Sequence, residues 1–289
     1  MTDAGGTWWP APAKLNLFLH VTGREADGYH RLQTVFQLLD WCDELQLEPT
    51  DSPAIERLSG PDTIPAEADL CVRAARLLQQ ASGCRRGVRI RLRKCIPTGG
   101  GLGGGSSDAA TVLCVLDRLW DLRLGEEALA ALGLQLGADV PVFVRGQSAW
   151  GEGRGERLTP VALPERWFVI LHPGVSVSTA EVFQAAELTR NSPVITIRAF
   201  SPGAPPGEDT RNDCEAVVRA RVPEVAAALD WLAGYAAARM TGTGACVFAA
   251  FDSAAAAERV AARVPDCWTS RVARGVQGSP LHQRLAAMT

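Results

Sequence analysis

The segment IPTGGGLGGGSSDAAT, residues 96–111, carries glycine at six of the seven positions from 99 to 105. Glycine costs about 0.5–1 kcal/mol of backbone entropy relative to alanine in regular structure. Here the run directly precedes Ala109, Val112, Leu113, Leu116 and Trp120, which fall at helical spacing. A glycine loop entering a helix makes an anion site. The free N–H groups of the first turn point outward, the helix dipole favours negative charge, and the missing Cβ lets phosphate oxygens approach. The plainer alternative is a tight helix entry. Ser106 and Ser107 suit either an N-cap or a phosphate contact. The segment is not GxxxxGK[ST], because Gly and Ser stand where that loop needs Lys. Nor does it suit a dinucleotide fold, since the acidic residue expected about 20 positions later is Asp121, at a helix end.

Other residues could join this site. Asp139, in GAD at 137–139, is either an ordinary turn Asp before Pro141 or a carboxylate free to abstract a proton. Lys14 lies mid-strand, where a charge ordinarily faces water, and Asn16 shares its face. Tyr29 and His30 put a phenol ring and an imidazole on one loop, or simply pack a turn. Phe183 in AEVFQ reads as helix core, Lys94 as a solvated lysine, and TGTG at 241–244 either as a support for the glycine loop and cleft from the other half or as a plain strand-entry turn.

Elements must position these groups. PAKLNLFLHV, residues 12–21, alternates: Ala13, Leu15, Leu17, Leu19 and Val21 on one face, Lys14, Asn16, Phe18 and His20 on the other. That is a strand with one face on a core. A turn at Asp27-Gly28 leads to a second strand, LQTVFQLLD. Residues 51–68 read as a surface loop, LCVRAARLLQQA from Leu70 as a helix, and GVRIRLRKCI as a strand. After the glycine-loop helix come a helix over 126–136 stopping at Gly137, and a strand VPVFVRG. Then follow a strand RWFVILHPG, an irregular stretch 191–212, a long helix PEVAAALDWLAGYAAAR, a Gly turn into a strand at MTGTGACVFAAF, a helix SAAAAERVAARV and a closing strand WTSRVARGV. Helices and strands mix without regular βα alternation, which predicts an α+β fold in two halves joined near 150–160.

Composition narrows the function. The chain has 289 residues, 47% hydrophobic and 21% charged, with net charge −3. No basic face argues for nucleic acid or an anionic membrane, so a negative ligand must be held by local devices. No apolar run is long enough to span a bilayer, and the N-terminal residues lack the pattern of a signal or transit peptide. The eight cysteines form no CxxC pair, so reduced, mostly buried thiols and no metal site are expected. The expected compartment is the cytoplasm.

PTGGGLGGGSSDAA resembles the phosphate-binding motif of the GHMP kinase superfamily, PAKLNLFL its first motif and TGTGACVFA its third. PAKLNLFLHVTGREADGYHRLQTVFQLLD, LGADVPVFVRG, HPGVSVST and NDCE resemble, more narrowly, the branch whose acceptor is a methylerythritol carrying a cytidine diphosphate group. The likeness runs from about residue 9 to the C terminus. It implies a two-domain GHMP kinase fold: a ribosomal-protein-like ATP-binding half over residues 1–160 and a ferredoxin-like half over 161–289. It also implies an ATP- and Mg²⁺-dependent kinase, monomer or homodimer, acting on the acceptor's 2-hydroxyl. Asp139 then matches the catalytic base and Lys14 its electrostatic partner. Lys94, Pro97, Gly99, Gly100, Gly101, Gly103, Gly104, Gly105, Ser106 and Ser107 match nucleotide contacts. Asn16, Tyr29, His30, Phe36, Thr179 and Phe183 match acceptor contacts, with Tyr29 and His30 cradling the cytidine and Phe183 stacking on its other side. Asp69 departs from the pattern, which often has Asn there near the adenine; an acid accepts but does not donate unless protonated. A silent nucleotide-binding protein would have lost Lys14 or Asp139, and both are present. A kinase of another small alcohol, such as phosphomevalonate or homoserine, is disfavoured by the GYH loop and the Phe183 region.

Overall fold

A computed structural model describes residues 6–26, 28–197 and 210–288. Asp27 of the expected turn and residues 198–209 of the expected irregular stretch lie outside the described residues. Two long antiparallel strands, β1 (Trp8–Arg24) and β2 (His30–Thr50), form the spine. β3 (Ile55–Ser59) runs parallel to β4 (Gly87–Arg93), which pairs antiparallel with β2. β5 (Ala149–Gly153) lies along β2 and carries β6 (Arg157–Pro160). In the second half, β7 (Trp167–His172), β8 (Ala238–Met240), β9 (Val247–Phe251) and β10 (Thr269–Val276) pair antiparallel. β10 joins the halves: residues 269–274 pair with β7, and Gly275 and Val276 pair with β2. One sheet, in the order β3-β4-β2-β10-β7-β9-β8 with β1, β5 and β6 attached to β2, therefore runs through both halves.

Helices α1 (Leu70–Ser82), α2 (Gly104–Leu119), α3 (Glu126–Leu136) and α4 (Val140–Arg145) cover the first half. Their buried faces, among them Leu78, Val112, Leu116 and Phe143, pack on Leu45 and Ile90 of the sheet. α5 (Thr179–Gln184), α6 (Asp213–Arg221), α7 (Pro223–Ala233) and α8 (Ala254–Ala261) cover the second half, over a core of Val169, Val218, Leu229 and Val247. A third apolar cluster lies at the seam, where Leu15 and Phe18 meet Trp150, Phe168 and Phe248.

The structure corrects several expectations. VPVFVRG is helix α4, not a strand. Pro141 sits in its first turn, where proline's fixed φ fits and its missing N–H is not needed. All five residues from Val140 to Val144 are buried, and a short fully buried apolar run has no period to separate strand from helix. Residues 51–68 hold β3 and a 3₁₀ turn at Ala66–Ala68. The long helix ends at Ala233, and Ala238–Met240 is strand β8. β1 is buried on both faces from Ala11 to Val21, so Lys14 does not face water. Neither serine of the glycine loop caps α2: the helix starts at Gly104 behind Gly103, with no side-chain cap. Four cysteines are buried (71, 114, 214 and 246), Cys42 and Cys84 are half-buried, and Cys95 and Cys267 are exposed. No helix among the described residues is long and apolar enough to cross a membrane.

β10 does not close the chain. Ser279 caps a last helix, α9 (Pro280–Ala286), whose Leu281 and Leu285 return to the first-half core. The C-terminal turns therefore lock the two halves together. Leu281→Ala is expected to lower unfolding free energy by about 2–4 kcal/mol, as deletion of a buried leucine does; urea denaturation followed by circular dichroism measures it, and a change below about 0.5 kcal/mol would mean that α9 does not dock.

Candidate active site

The glycine loop is folded against the second half by backbone contacts. Ala245 N–H donates to Gly99 O (3.2 Å) and Cys246 N–H to Gly100 O (3.1 Å). Gly99, Gly101 and Gly103 have φ of 71°, 75° and 71°, the left-handed region that favours glycine. At Gly101 a Cβ would lie 2.2 Å from Thr241 O. That turn is in turn held from three sides. Thr241 Oγ1 accepts from Asn16 N–H (2.9 Å) and donates to Gly101 O (3.2 Å). Asn212, of the NDCE segment, donates from Nδ2 to Met240 O and Gly242 O (2.8 and 2.7 Å).

Two cavities meet on the loop. One, of about 270 Å³, has apolar walls at Pro61, Ile64, Leu70 and Leu92, and a floor made by Gly99–Gly105, Lys94, Pro97, Ser106 and Asp108. The other, of about 300 Å³, is lined by Lys14, Asn16, Thr34, Phe36, Asp139, Arg154, Thr179, Phe183 and Thr243. Gly99, Gly101, Gly103 and Ser106 line both, so the loop is a shared wall. The N-terminus of the sixteen-residue helix α2 opens on this wall, with the positive end of its dipole.

Lys14, only 2% exposed, lies at that wall. Its Nζ donates to Gly101 O (2.9 Å) and Asn16 Oδ1 (2.5 Å) and pairs with Asp139 Oδ2 (3.2 Å). Asp139 precedes α4 and keeps about a third of its side chain open to the second cavity. Asn16 also donates from Nδ2 to Thr34 Oγ1 (2.9 Å). A buried ammonium is tolerable only with such partners. The arrangement leaves a half-open carboxylate beside a fixed cation, which suits removal of a proton from a group bound in the second cavity and stabilisation of the resulting charge.

Sequence-expected residues fall into three groups. Lys14, Asn16, Phe36, Asp139, Thr179 and Phe183 share the second cavity, and Thr179 Oγ1 meets Thr243 Oγ1 at 2.8 Å. Lys94, Pro97, the six glycines and Ser106 line the first. Ser107 lines neither cavity and is fully buried. Tyr29 and His30 line neither cavity, but His30 stacks on Phe183 (5.0 Å, 23°), which lines the second. Tyr29 is exposed and carries the Arg154 guanidinium 3.6 Å over its ring. Arg190 Nε donates to His30 Nε2 (3.1 Å); burial, Arg190 and Arg24 hold that imidazole below its ordinary pKa. Asp69 caps α1 with one oxygen, accepting from Cys71 N–H at 2.8 Å, and binds Arg57 with the other at 2.7 Å. Both oxygens are thus committed, although the residue lines the first cavity.

Sequence reasoning missed Asp43, Asp108 and Arg154 as parts of the site. Only Asp108 had a local signal, as the acid of SSD; Asp43 and Arg154 reach the site through contacts with distant parts of the chain.

Comparison with known proteins settles the family. The description "GHMP kinases N terminal domain" matches residues 69–147, and "GHMP kinases C terminal" matches residues 203–270. A 4-diphosphocytidyl-2-C-methyl-D-erythritol kinase of Halorhodospira halophila is 56% identical over 281 residues, 96% of each chain. The chain belongs to the 4-diphosphocytidyl-2-C-methyl-D-erythritol kinase family, within the GHMP kinases. A crystal structure of a 4-(cytidine 5'-diphospho)-2C-methyl-D-erythritol kinase superposes with a TM-score of 0.80 at 34% identity, covering 93% of this chain and all of that one. The Methanococcus jannaschii mevalonate kinase superposes at 0.68 with 14% identity, covering 95% of this chain and 100% of that one, which shows the shared fold. The α+β GHMP kinase fold expected from the sequence is the fold observed.

The close seat of the glycine loop on the 241–244 turn has a measurable consequence. Gly101→Ala must relieve both a left-handed φ and an overlap with Thr241 O. It is expected to cost about 2–4 kcal/mol of stability, the sum of left-handed strain and local overpacking. Thermal and urea unfolding measure it, with Gly83→Ala, left-handed at φ 69° and with nothing within 4 Å of a Cβ, as the control for strain alone.

Proposed function

We propose that the protein transfers the γ-phosphoryl group of MgATP to the 2-hydroxyl of 4-diphosphocytidyl-2-C-methyl-D-erythritol, giving the 2-phosphate and ADP, in the cytoplasmic methylerythritol phosphate route to isopentenyl diphosphate. The reading rests on its family and on one observation above all: the Lys14–Asp139 pair stands at the wall shared by two cavities. The first cavity takes the nucleotide, with adenine among Pro61, Ile64, Leu70 and Leu92 and the triphosphate over Gly99–Gly105 and the N-terminus of α2. Among the described residues no group of three or more His, Cys, Asp or Glu side chains is arranged to hold a metal. Mg²⁺ would enter with ATP, held by phosphate oxygens together with one or two protein oxygens, as this ion ordinarily is in such sites.

The second cavity takes the acceptor. Its hydroxyl approaches Asp139, which accepts the proton as the oxygen attacks phosphorus. Lys14, held by Gly101 O and Asn16 Oδ1, offers its charge to the attacking oxygen and the transferring group. Such transfer needs positioning and charge neutralisation more than covalent help. Ser106, on the shared wall, contacts phosphate rather than capping the helix. Asn16, Phe36 and Thr179 shape the acceptor site. Phe183, with His30 stacked on it, offers the ring surface for cytosine, and Tyr29 with Arg154 closes the rim. His30, kept neutral by burial and Arg190, presents an imidazole edge that can tell cytosine from uracil.

Incubation with MgATP and the cytidine diphosphate acceptor should yield ADP and a new phosphomonoester; turnover of a different alcohol in its place would overturn the acceptor assignment. Asp139→Asn should lower kcat by about 10²–10⁴-fold, the usual weight of general-base catalysis, while MgATP still binds. Lys14→Ala should act mainly on kcat, and the double variant should lose less than the product of the two effects, because both groups serve one hydroxyl.

Phe183→Ala should weaken acceptor binding by roughly 5- to 150-fold, the equivalent of about 1–3 kcal/mol of base stacking, with KM for ATP unchanged. A raised KM for ATP and an unaltered acceptor would reverse the two cavities.

A further inference from the structure

Beneath the first turn of α2, Lys94 Nζ lies between two carboxylates. It donates to Asp108 Oδ2 at 2.8 Å and to Asp43 Oδ2. The three groups come from separate elements: Asp43 from β2, Lys94 from the segment after β4, and Asp108 from α2. A Cβ on Gly104 would sit 3.1 Å from Lys94 Nζ and 3.2 Å from Asp43 Oδ2, so the cluster touches the end of the glycine loop. Lys94 and Asp108 both line the cavity assigned to the nucleotide.

The two acids are not equivalent. Asp43 is fully buried, and its Oδ1 accepts from Cys95 N–H and Ile96 N–H (2.5 and 2.8 Å). With Lys94, three donors converge on its two oxygens. Asp108 is 3% exposed, and its Oδ1 has no hydrogen-bond partner among the described residues. Burial raises its pKa most, Lys94 opposes this, and Asp43 adds to it, leaving Asp108 at about 8. Burial alone would lower Lys94, but Asp108 and Asp43 outweigh it and raise its pKa, so Lys94 stays cationic. Among the described residues the other groups near the cluster include the Cys71 thiol, which burial holds neutral, the Cys42 thiol, which burial pushes up to about 12, and Asp69, which is paired with Arg57.

We propose that Asp108 is a positioning residue that sets the charge presented to the ATP phosphates: protonated, it leaves Lys94 and Asp43 as a neutral pair with the lysine available to phosphate; ionised, it adds an uncompensated negative charge and draws Lys94 away. This rests on the first cavity being the ATP site. The sign follows directly. MgATP binds best to the protonated form, so affinity is highest at pH below the Asp108 pKa and falls as pH rises through it. Binding near that pH draws a proton onto Asp108.

The test is calorimetric titration of MgATP without acceptor, from about pH 7 to about pH 9.5, in buffers of different ionisation enthalpy. The terminal phosphate, with a second pKa near 6, is ionised throughout. A nearby charge moves a carboxylate titration by about 1–3 units, so the wild-type Kd should rise about tenfold or more across the range, with fractional proton uptake near the midpoint. In Asp108→Asn the rise and the uptake should disappear. In Lys94→Met, which removes the cation that lowers Asp108, the midpoint should move upward, apart from any loss of affinity. Circular dichroism melts establish that each variant is folded. A pH dependence shared by wild type and Asp108→Asn overturns the inference while leaving the ATP assignment standing. Absence of MgATP binding in the folded wild type at every pH removes that assignment and the inference with it.

Discussion

The site depends on one buried ammonium group. Lys14 sits in the middle of β1, 2% exposed, where an unpartnered charge would be prohibitively costly. Its three partners come from different places: Asn16 from the same strand, Gly101 O from the glycine loop, and Asp139 from the residue before α4. Satisfying that charge therefore requires the strand, the loop and the α3–α4 connection to converge. The convergence brings a half-open carboxylate to the wall shared by the two cavities. The contacts that satisfy the charge also hold the arrangement proposed for catalysis, since a cation already held by fixed dipoles needs no reorganisation when charge develops nearby.

The loop can serve both cavities because it is thin. Gly101 packs its backbone against Thr241 O at a distance that leaves no room for a Cβ, and at Gly103 a Cβ would lie 2.9 Å from Phe143 and 3.1 Å from Lys14 Cε. Side chains here would fill the space between the two cavities and push the lysine from its place. The clamp on the other side is equally specific. Asn212 ties the 241–244 turn to the start of α6, and next to it Asp213 accepts from Val21 N–H at 2.7 Å and Ser192 Oγ at 2.6 Å. The second half thus grips both the glycine loop and β1. β10, pairing with β7 and then with β2, and α9, returning to the first core, keep the halves in register.

The elements with a clean period were legible in the sequence. Helix α3 was bounded at 126 and 136 as observed, α1 was anchored at Leu70, and the glycine loop announced the start of α2. α4 failed because five consecutive buried residues have no polar face to mark a period, and α9 was passed over because seven residues carry little pattern. In β1 the alternation was real, yet both faces proved buried because helices and the second half cover what a lone sheet would expose.

By itself the sequence determined the residue types with chemical capacity, the glycine run that no ordinary helix entry requires, and, through ordered motifs, the family. Those are local properties, fixed by backbone freedom and side-chain chemistry. Only the tertiary structure decided that Lys14 is buried rather than solvated, that His30 stacks on Phe183, and that Asp43 and Asp108 share Lys94. Burial and charge pairing depend on what the rest of the chain brings to a residue, and the partners here lie from 2 to 160 positions away. A side chain's identity is written at its own position, but its solvent, its neighbours and its protonation are properties of the fold.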